Sequence, residues 1–228
     1  MKNLSFLLSF LLLNLMFNCN SKEENQTNEL IENKEVNSKD SLVAIQIDST
    51  KIPKSIEYKG NFKNAVSWND ESGENFVILS ATGIFRNADK HEFDDSEDSE
   101  LFAYHFNLNK GKLLQVWKLY DFVKDCPVDI DAEFYNQFPK VTDLNKNDVP
   151  EVWIMYKTGC HGDVSPVTLK LIMYEGNKKY AMRGENKVQV GTDNYLGGEY
   201  KFDKSFNSAP DVFKNFAIKL WKENIDKK

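Results

Sequence analysis

Residues Leu101 to Leu108 alternate without a break: Phe102, Tyr104, Phe106 and Leu108 share one side, with smaller or polar residues between them. A period of two is the mark of an extended strand, because successive side chains point to opposite faces. Asn109-Lys110-Gly111-Lys112 then supplies turn chemistry, and Leu113 to Tyr120 alternates again. Together they predict a β-hairpin. Asn75 to Phe85 holds the apolar run Phe76-Val77-Ile78-Leu79, which reads as a buried strand. Glu151 to Lys157 and Thr168 to Tyr174 are two more strands. The second leads through Glu175-Gly176-Asn177-Lys178 into Lys179 to Arg183, a further hairpin.

Only the C-terminal stretch has a helical period. Phe213, Phe216, Ala217, Leu220 and Trp221 fall on one face. Ser208 with Asp211 three residues on suggests a capping box, and Pro210 is tolerated in a first turn. The expected fold is therefore mainly β, an antiparallel meander or sandwich-like sheet, with one C-terminal α-helix packed on it. Aromatic residues make up 13% of the chain, which suits strands better than helices.

The N-terminus predicts an address. After Lys2, the apolar stretch from Leu4 to Phe17 is about 14 residues, too short for a membrane span of about 20 but right for a secretory signal. Cys19 follows it directly, then Lys22, Glu23 and Glu24. Met16-Phe17-Asn18-Cys19 resembles a lipobox, with Cys19 as the lipidated first residue of the mature chain. Ser21-Lys22-Glu23-Glu24 resembles the short signal that sends Bacteroidota lipoproteins to the cell surface. The plainer alternative is a cleaved signal peptide with a chance cysteine. Acyl chains at about 0.8 kcal/mol per buried methylene would make an anchor durable. The expected organisation is a signal over 1–18, a polar disordered tether over 19–41, and one β-rich domain over 42–228. A coil of that length holds a domain roughly 25 Å from the membrane. Asp40-Ser41-Leu42 and Asp48-Ser49-Thr50 also resemble O-glycosylation acceptors of the same phylum.

The net charge of −6 argues against nucleic acid, since no basic stripe is available to replace counterions on phosphates. The run from His91 to Glu100, with Asp94, Asp95, Glu97, Asp98 and Glu100, reads as a solvated loop. Once Cys19 carries lipid, Cys126 and Cys160 are an even pair in an oxidising compartment, each expected to flank strands of one sheet. A disulfide between them closes a loop of about 35 residues, worth roughly 3–4 kcal/mol. Two buried thiols, or a Cys160 nucleophile beside His161, are the alternatives. No Cys-x-x-Cys spacing marks a redox or zinc site.

Three places carry candidate chemistry. Asp143, Asn145, Asn147 and Glu151 occupy positions 1, 3, 5 and 9 of an Asx-rich loop, a spacing that converges oxygen ligands on Ca²⁺. Asp148 stands where glycine is expected, and the alternative is a turn whose side chains bond only their own backbone. Cys160-His161-Gly162-Asp163-Val164-Ser165-Pro166 has the residue types of a triad, but residues two apart in an extended loop point to opposite sides. Gly197-Gly198-Glu199-Tyr200 offers an acid and an aromatic ring to a sugar groove, or else a bulged strand. Asp163, Glu199 and Tyr200 are thus the candidate ligand-binding residues.

Several segments together resemble one family. They are Thr142 to Lys157, Cys160 through Pro166, Leu169-Lys170-Leu171-Ile172-Met173-Tyr174-Glu175 with Lys179-Tyr180-Ala181, and Gly198-Glu199-Tyr200-Lys201-Phe202 to Trp221. The family is that of the Bacteroidota surface polysaccharide biosynthesis proteins, linked to lipopolysaccharide in the outer membrane. The resemblance spans about the C-terminal half and implies a process and a place, with no catalytic residues to carry over. The expectation is a lipid-anchored surface protein that supports polysaccharide or lipopolysaccharide display by binding glycan or assembly proteins. A periplasm-facing anchor is the alternative placement. The rival functions are a glycan-acting enzyme, with two acids drawn from Asp129, Asp131, Asp163 and Glu199, and a structural envelope protein.

Overall fold

Two antiparallel sheets lie face to face, and a short helix pair backs one of them. The computed structural model describes residues 42–86 and 95–226. Cys19, Lys22-Glu23-Glu24, the tether and the start of the acidic run all lie outside the described residues. Among those described, no helix is long and apolar enough to cross a membrane.

The first sheet is a meander of β1 (Ile45–Ile47), β2 (Asn61–Asp70), β3 (Gly73–Phe85), β4 (Glu97–Asn109) and β5 (Lys112–Cys126), in that spatial order. The alternating pair seen in the sequence forms the β4–β5 hairpin, with Lys110 and Gly111 at positive φ in its turn. Phe102, Tyr104 and Phe106 share the outer face with Phe76 and Ile78, and the segment carrying Ile52 and Ile56 covers them. The opposite face of β4, read from sequence as small and polar, is buried as well. Leu101 and Ala103 pack there with Trp117 and Leu119 against the second sheet.

The acidic run departs from expectation. Its end is not a solvated loop: Asp98 and Glu100 are 3% and 8% exposed within β4. The Asp125 backbone amide donates to Asp98 Oδ1 at 2.9 Å, and Glu100 accepts from Lys59 Nζ at 2.5 Å and Tyr120 Oη at 2.7 Å. Local charge density gave the wrong answer because these partners are remote in sequence. A paired, hydrogen-bonded carboxylate tolerates burial.

The second sheet has β6 (Asp129–Phe134), β7 (Lys140–Thr142), β8 (Glu151–His161), β9 (Thr168–Glu175), β10 (Lys178–Glu185) and, after the small β11–β12 ribbon (Lys187–Gly191, Asn194–Gly197), β13 (Tyr200–Phe202). β6 and β7 both pair with β8. Val152, Ile154 and Tyr174 face the first sheet, where the Trp117 and Tyr174 rings stack at 4.1 Å. Trp153 and Tyr180 face the other way, towards Phe213 and Phe216 of the helix. The paired glycines, read from sequence as part of a groove or a bulged strand, instead end the ribbon and lead into β13. Gly197 and Gly198 hold φ of 72° and 96°, and a Cβ on Gly184 would lie 1.8 Å from the Glu199 carbonyl oxygen, so β13 approaches bare backbone.

The C-terminal helix forms, but its cap differs. α1 (Lys204–Asn207) is one turn capped by Asp203, and α2 (Asp211–Asn224) begins behind Pro210 with no side-chain cap. Ser208 instead ends α1, so the Ser208/Asp211 capping box is not made. Phe213, Ala217, Leu220 and Trp221 are buried as the period required. Each large apolar side chain so buried contributes about 1.5–3 kcal/mol.

Cys126 and Cys160 are bonded, with Cα atoms 5.6 Å apart. They do not flank strands of one sheet. Cys126 ends β5 and Cys160 lies in β8, so the bond ties the two sheets together.

Candidate functional site

At the end of the sandwich away from the disulfide, the β2–β3 turn builds a polar network. Asp70 Oδ1 accepts from the Ser72 amide at 2.8 Å, and Oδ2 accepts from Trp68 Nε1 and Asn75 Nδ2, each at 2.9 Å. Burial pushes the Asp70 carboxyl up, but the bonds from Ser72, Trp68 and Asn75 outweigh it and hold the group below its usual range. Asn75 Oδ1 then serves His105 Nε2 at 2.9 Å and Asn107 Nδ2 at 3.1 Å. Because that oxygen can only accept, Nε2 carries the proton and Nδ1 is a bare acceptor. His105 is 7% exposed, and among the described residues Nδ1 has no hydrogen-bond partner. Burial drives its pKa down to about 4, against a weaker upward pull from Asp70, so the ring is neutral at physiological pH. The ring lies between Trp68 and Trp117, with centroids at 5.2 and 5.5 Å. An unmatched buried acceptor costs about 1–3 kcal/mol, and such groups collect at functional sites.

This network walls a cavity of about 380 Å³. Trp68, Leu114 and Val116 give it an apolar side. Glu71, Asn107 and Asp148 bring polar groups. A mostly apolar hollow with a few convergent polar groups is the usual form of a small-ligand site.

Asp148 belongs to the Asx-rich loop, so two places the sequence treats separately adjoin. Asp143 receives the Asn147 amide on Oδ1 at 3.1 Å and the Asp148 amide on Oδ2 at 3.2 Å. Asn145 and Asn147 both turn their side-chain nitrogens to Glu175 Oε1, at 2.7 and 2.9 Å. Glu151 is fully buried and accepts from Thr142 Oγ1 at 2.7 Å and the Leu144 amide at 2.9 Å. Its burial raises its pKa despite those bonds. Asp148 takes the left-handed backbone at φ 63°, as the position expected of glycine requires. Asp143, Asn145 and Asn147 accept backbone amides of their own loop as nested Asx turns do, while Glu151, the first residue of β8, reaches back to the Leu144 amide. Among the described residues no group of three His, Cys, Asp or Glu side chains is arranged to hold a metal.

At the other end, His161 Nε2 meets Asp131 Oδ2 at 2.9 Å and Nδ1 meets the Asp163 carbonyl at 2.6 Å. Both partners are acceptors, so the doubly protonated ring fits best. The Asp131 bond, followed by that to Asp163, raises the pKa. Lys157 Nζ reaches Asp131 and Glu133, each at 2.9 Å. The Asp163 side chain accepts from the Ser165 amide at 2.8 Å. His161 therefore holds the loop rather than serving Ser165, and Cys160 is spent on the disulfide. Glu199 and Tyr200 line a separate groove with Arg183 and Lys201, and the Tyr200 ring packs on Trp221 at 5.5 Å. Thr168 is common to this groove and to the hollow beside Asp163. Glu199 and Tyr200 are neighbours in one site, and Asp163 lies next to it.

No protein family, curated protein or solved structure matches the chain. Sequence reading missed the Trp68–His105 site. One signal was available: Asp70-Glu71-Ser72-Gly73 is strong turn chemistry, and His105 and Asn107 are the only long polar side chains on their face of the alternating strand.

Proposed function

We propose that the protein is an envelope lipoprotein, anchored through Cys19 and displayed at the cell surface, that supports surface polysaccharide or lipopolysaccharide by binding glycan without catalysis. The observation that carries the binding part is the cavity beside Trp68. The apolar wall of Leu114, Val116 and Val149 suits the C–H face of a sugar ring, and the Asn107 and Glu71 side suits its hydroxyls. The glycosidase reading has less support. Asp131 is held by Lys157 and His161, Asp163 by its own loop, and Glu199 lies in another groove. A catalytic pair must instead face one bond across a defined gap.

Titration of intact protein with lipopolysaccharide-derived polysaccharide, followed by tryptophan fluorescence and calorimetry, tests the binding. Saturable quenching is expected. Its absence in wild type, with the fold intact, sinks the reading. The address is tested separately. Cys19→Ala should release the protein from membranes. Replacing Lys22, Glu23 and Glu24 by Ala should leave it bound but hidden from protease added to whole cells. Wild-type protein that already resists the protease would face the periplasm.

A further inference from the structure

From β9 outwards, the inner face of the second sheet carries a row of like charges. Lys170, Arg183 and Lys201 stand directly opposite one another across β9, β10 and β13. Like charges in that relation repel and weaken a sheet unless something neutralises them. Two carboxylates do so in part. Asp121 Oδ2 meets Lys170 Nζ at 2.5 Å but also accepts from Tyr156 Oη at 2.8 Å. Asp203 Oδ2 lies 3.7 Å from Arg183, while its Oδ1 caps α1. Among the described residues, no carboxylate lies within ion-pair range of Lys201, or of Lys179 on the same face of β10. Burial first, then Arg183, lowers the pKa of Lys179, and the upward pulls of Asp121 and Asp203 do not restore it. The next step along the strands is acidic. Glu185 stands two residues past Arg183, so on the same face, and its amide bonds the Glu199 carbonyl at 3.1 Å. No ion pair joins these two acids to the cation row. Arg183, Lys201, Glu185 and Glu199 line one groove of about 550 Å³, a size usual for a small ligand. A cation pair and an acid pair about 7 Å apart along a strand suit a ligand with an anion at one end and hydrogen-bond donors at the other.

We infer that this groove binds a phosphorylated sugar, with the phosphate monoester between Arg183 and Lys201 and the ring hydroxyls on Glu185 and Glu199. A guanidinium and an ammonium together match a dianion in charge, and carboxylates accept from hydroxyl groups. The groove is separate from the cavity beside Trp68 and does not depend on what that cavity binds. A neutral sugar lacks the group that the cation row takes. Free phosphate lacks the hydroxyls.

Glucose 6-phosphate, inorganic phosphate and glucose, each titrated calorimetrically into the full chain at low salt, separate the contributions. Glucose 6-phosphate should bind about ten-fold more tightly than glucose and about three-fold more tightly than phosphate. Arg183→Gln together with Lys201→Gln should remove the advantage over glucose. Glu185→Gln together with Glu199→Gln should remove the advantage over phosphate. All four side chains are exposed, so both variants should keep their melting temperature. Glucose binding as tightly as glucose 6-phosphate overturns the anion selection. Phosphate binding as tightly as glucose 6-phosphate overturns the sugar assignment. A preference over glucose that survives the first pair of substitutions overturns the place given to the phosphate. One over phosphate that survives the second pair overturns the role of the two carboxylates. No binding by any probe overturns the site.

Discussion

His105 and His161 stand at opposite ends of the sandwich, since β5 and β8 both run from the cavity to the disulfide. Their surroundings drive them apart. His105 lies in an aromatic slot with one donor bond made, and burial pushes its pKa to about 4. His161 is a quarter exposed, lies between a carboxylate and a carbonyl, and is raised instead. The cavity end leaves its buried histidine unsatisfied and neutral, at a cost to the fold. At the disulfide end His161, Asp131, Lys157 and Asp163 are all engaged in hydrogen bonds or ion pairs within the fold. An unmatched buried polar group calls for an explanation, and the proposed binding at the cavity end supplies one, with the disulfide end as its scaffold.

The largest way to break this contrast is to cut the scaffold. Changing both Cys126 and Cys160 to Ser should cost about 3–4 kcal/mol, because the bond closes a loop across two sheets. Urea unfolding measures it, and a loss below about 1 kcal/mol would show that packing alone joins the sheets. The cavity end should respond to acid. His105 has a folded pKa of about 4 and an unfolded value of about 6.5, so the unfolded chain takes up a proton first. Stability is therefore full above about pH 6.5, falls as pH drops towards 4, and levels off below it, for a total of about 3 kcal/mol. His105→Gln should flatten that limb. An NMR titration placing His105 near 6 would remove the basis of the comparison.

How much of this was legible in the sequence follows the range of the interactions involved. The β4–β5 hairpin, the β9–β10 hairpin and the helical face of Phe213 to Trp221 depend on neighbours a few residues apart, and local periodicity carries them. Asp98 and Glu100 were misjudged because Lys59, Tyr120 and Asp125 reach them from other strands. The pairing of Cys126 with Cys160 followed from counting, but its placement between sheets needed topology. His105 escaped notice for a related reason. Alternation in β4 implies one wet face, whereas a strand sandwiched between two layers is buried on both. The candidate residues Asp163, Glu199 and Tyr200 were plausible by type, and only geometry shows which local bonds already occupy them.

The smaller tests sharpen the contrast. His161 has a raised folded pKa, so its contribution is fully present below about pH 6.5 and fades as pH rises through the folded value. Solvent screens so exposed a pair, and the total should stay under about 1 kcal/mol, read as a small alkaline loss that His161→Gln abolishes. The Asx-rich loop decides whether the cavity rim is built by hydrogen bonds or by a cation. Asp143 accepts two backbone amides, and Asn145 and Asn147 present nitrogen rather than oxygen to Glu175. A loop so arranged closes on itself. Asp143→Ala should therefore cost about 1 kcal/mol, and by the same amount in millimolar Ca²⁺ as in chelator. A wild-type melting temperature that rises by several degrees with Ca²⁺, and a penalty for Asp143→Ala that grows with it, would mean that both asparagines turn their oxygens inward around an ion. The rim would then be cation-built, and Asp148 would sit beside a positive charge.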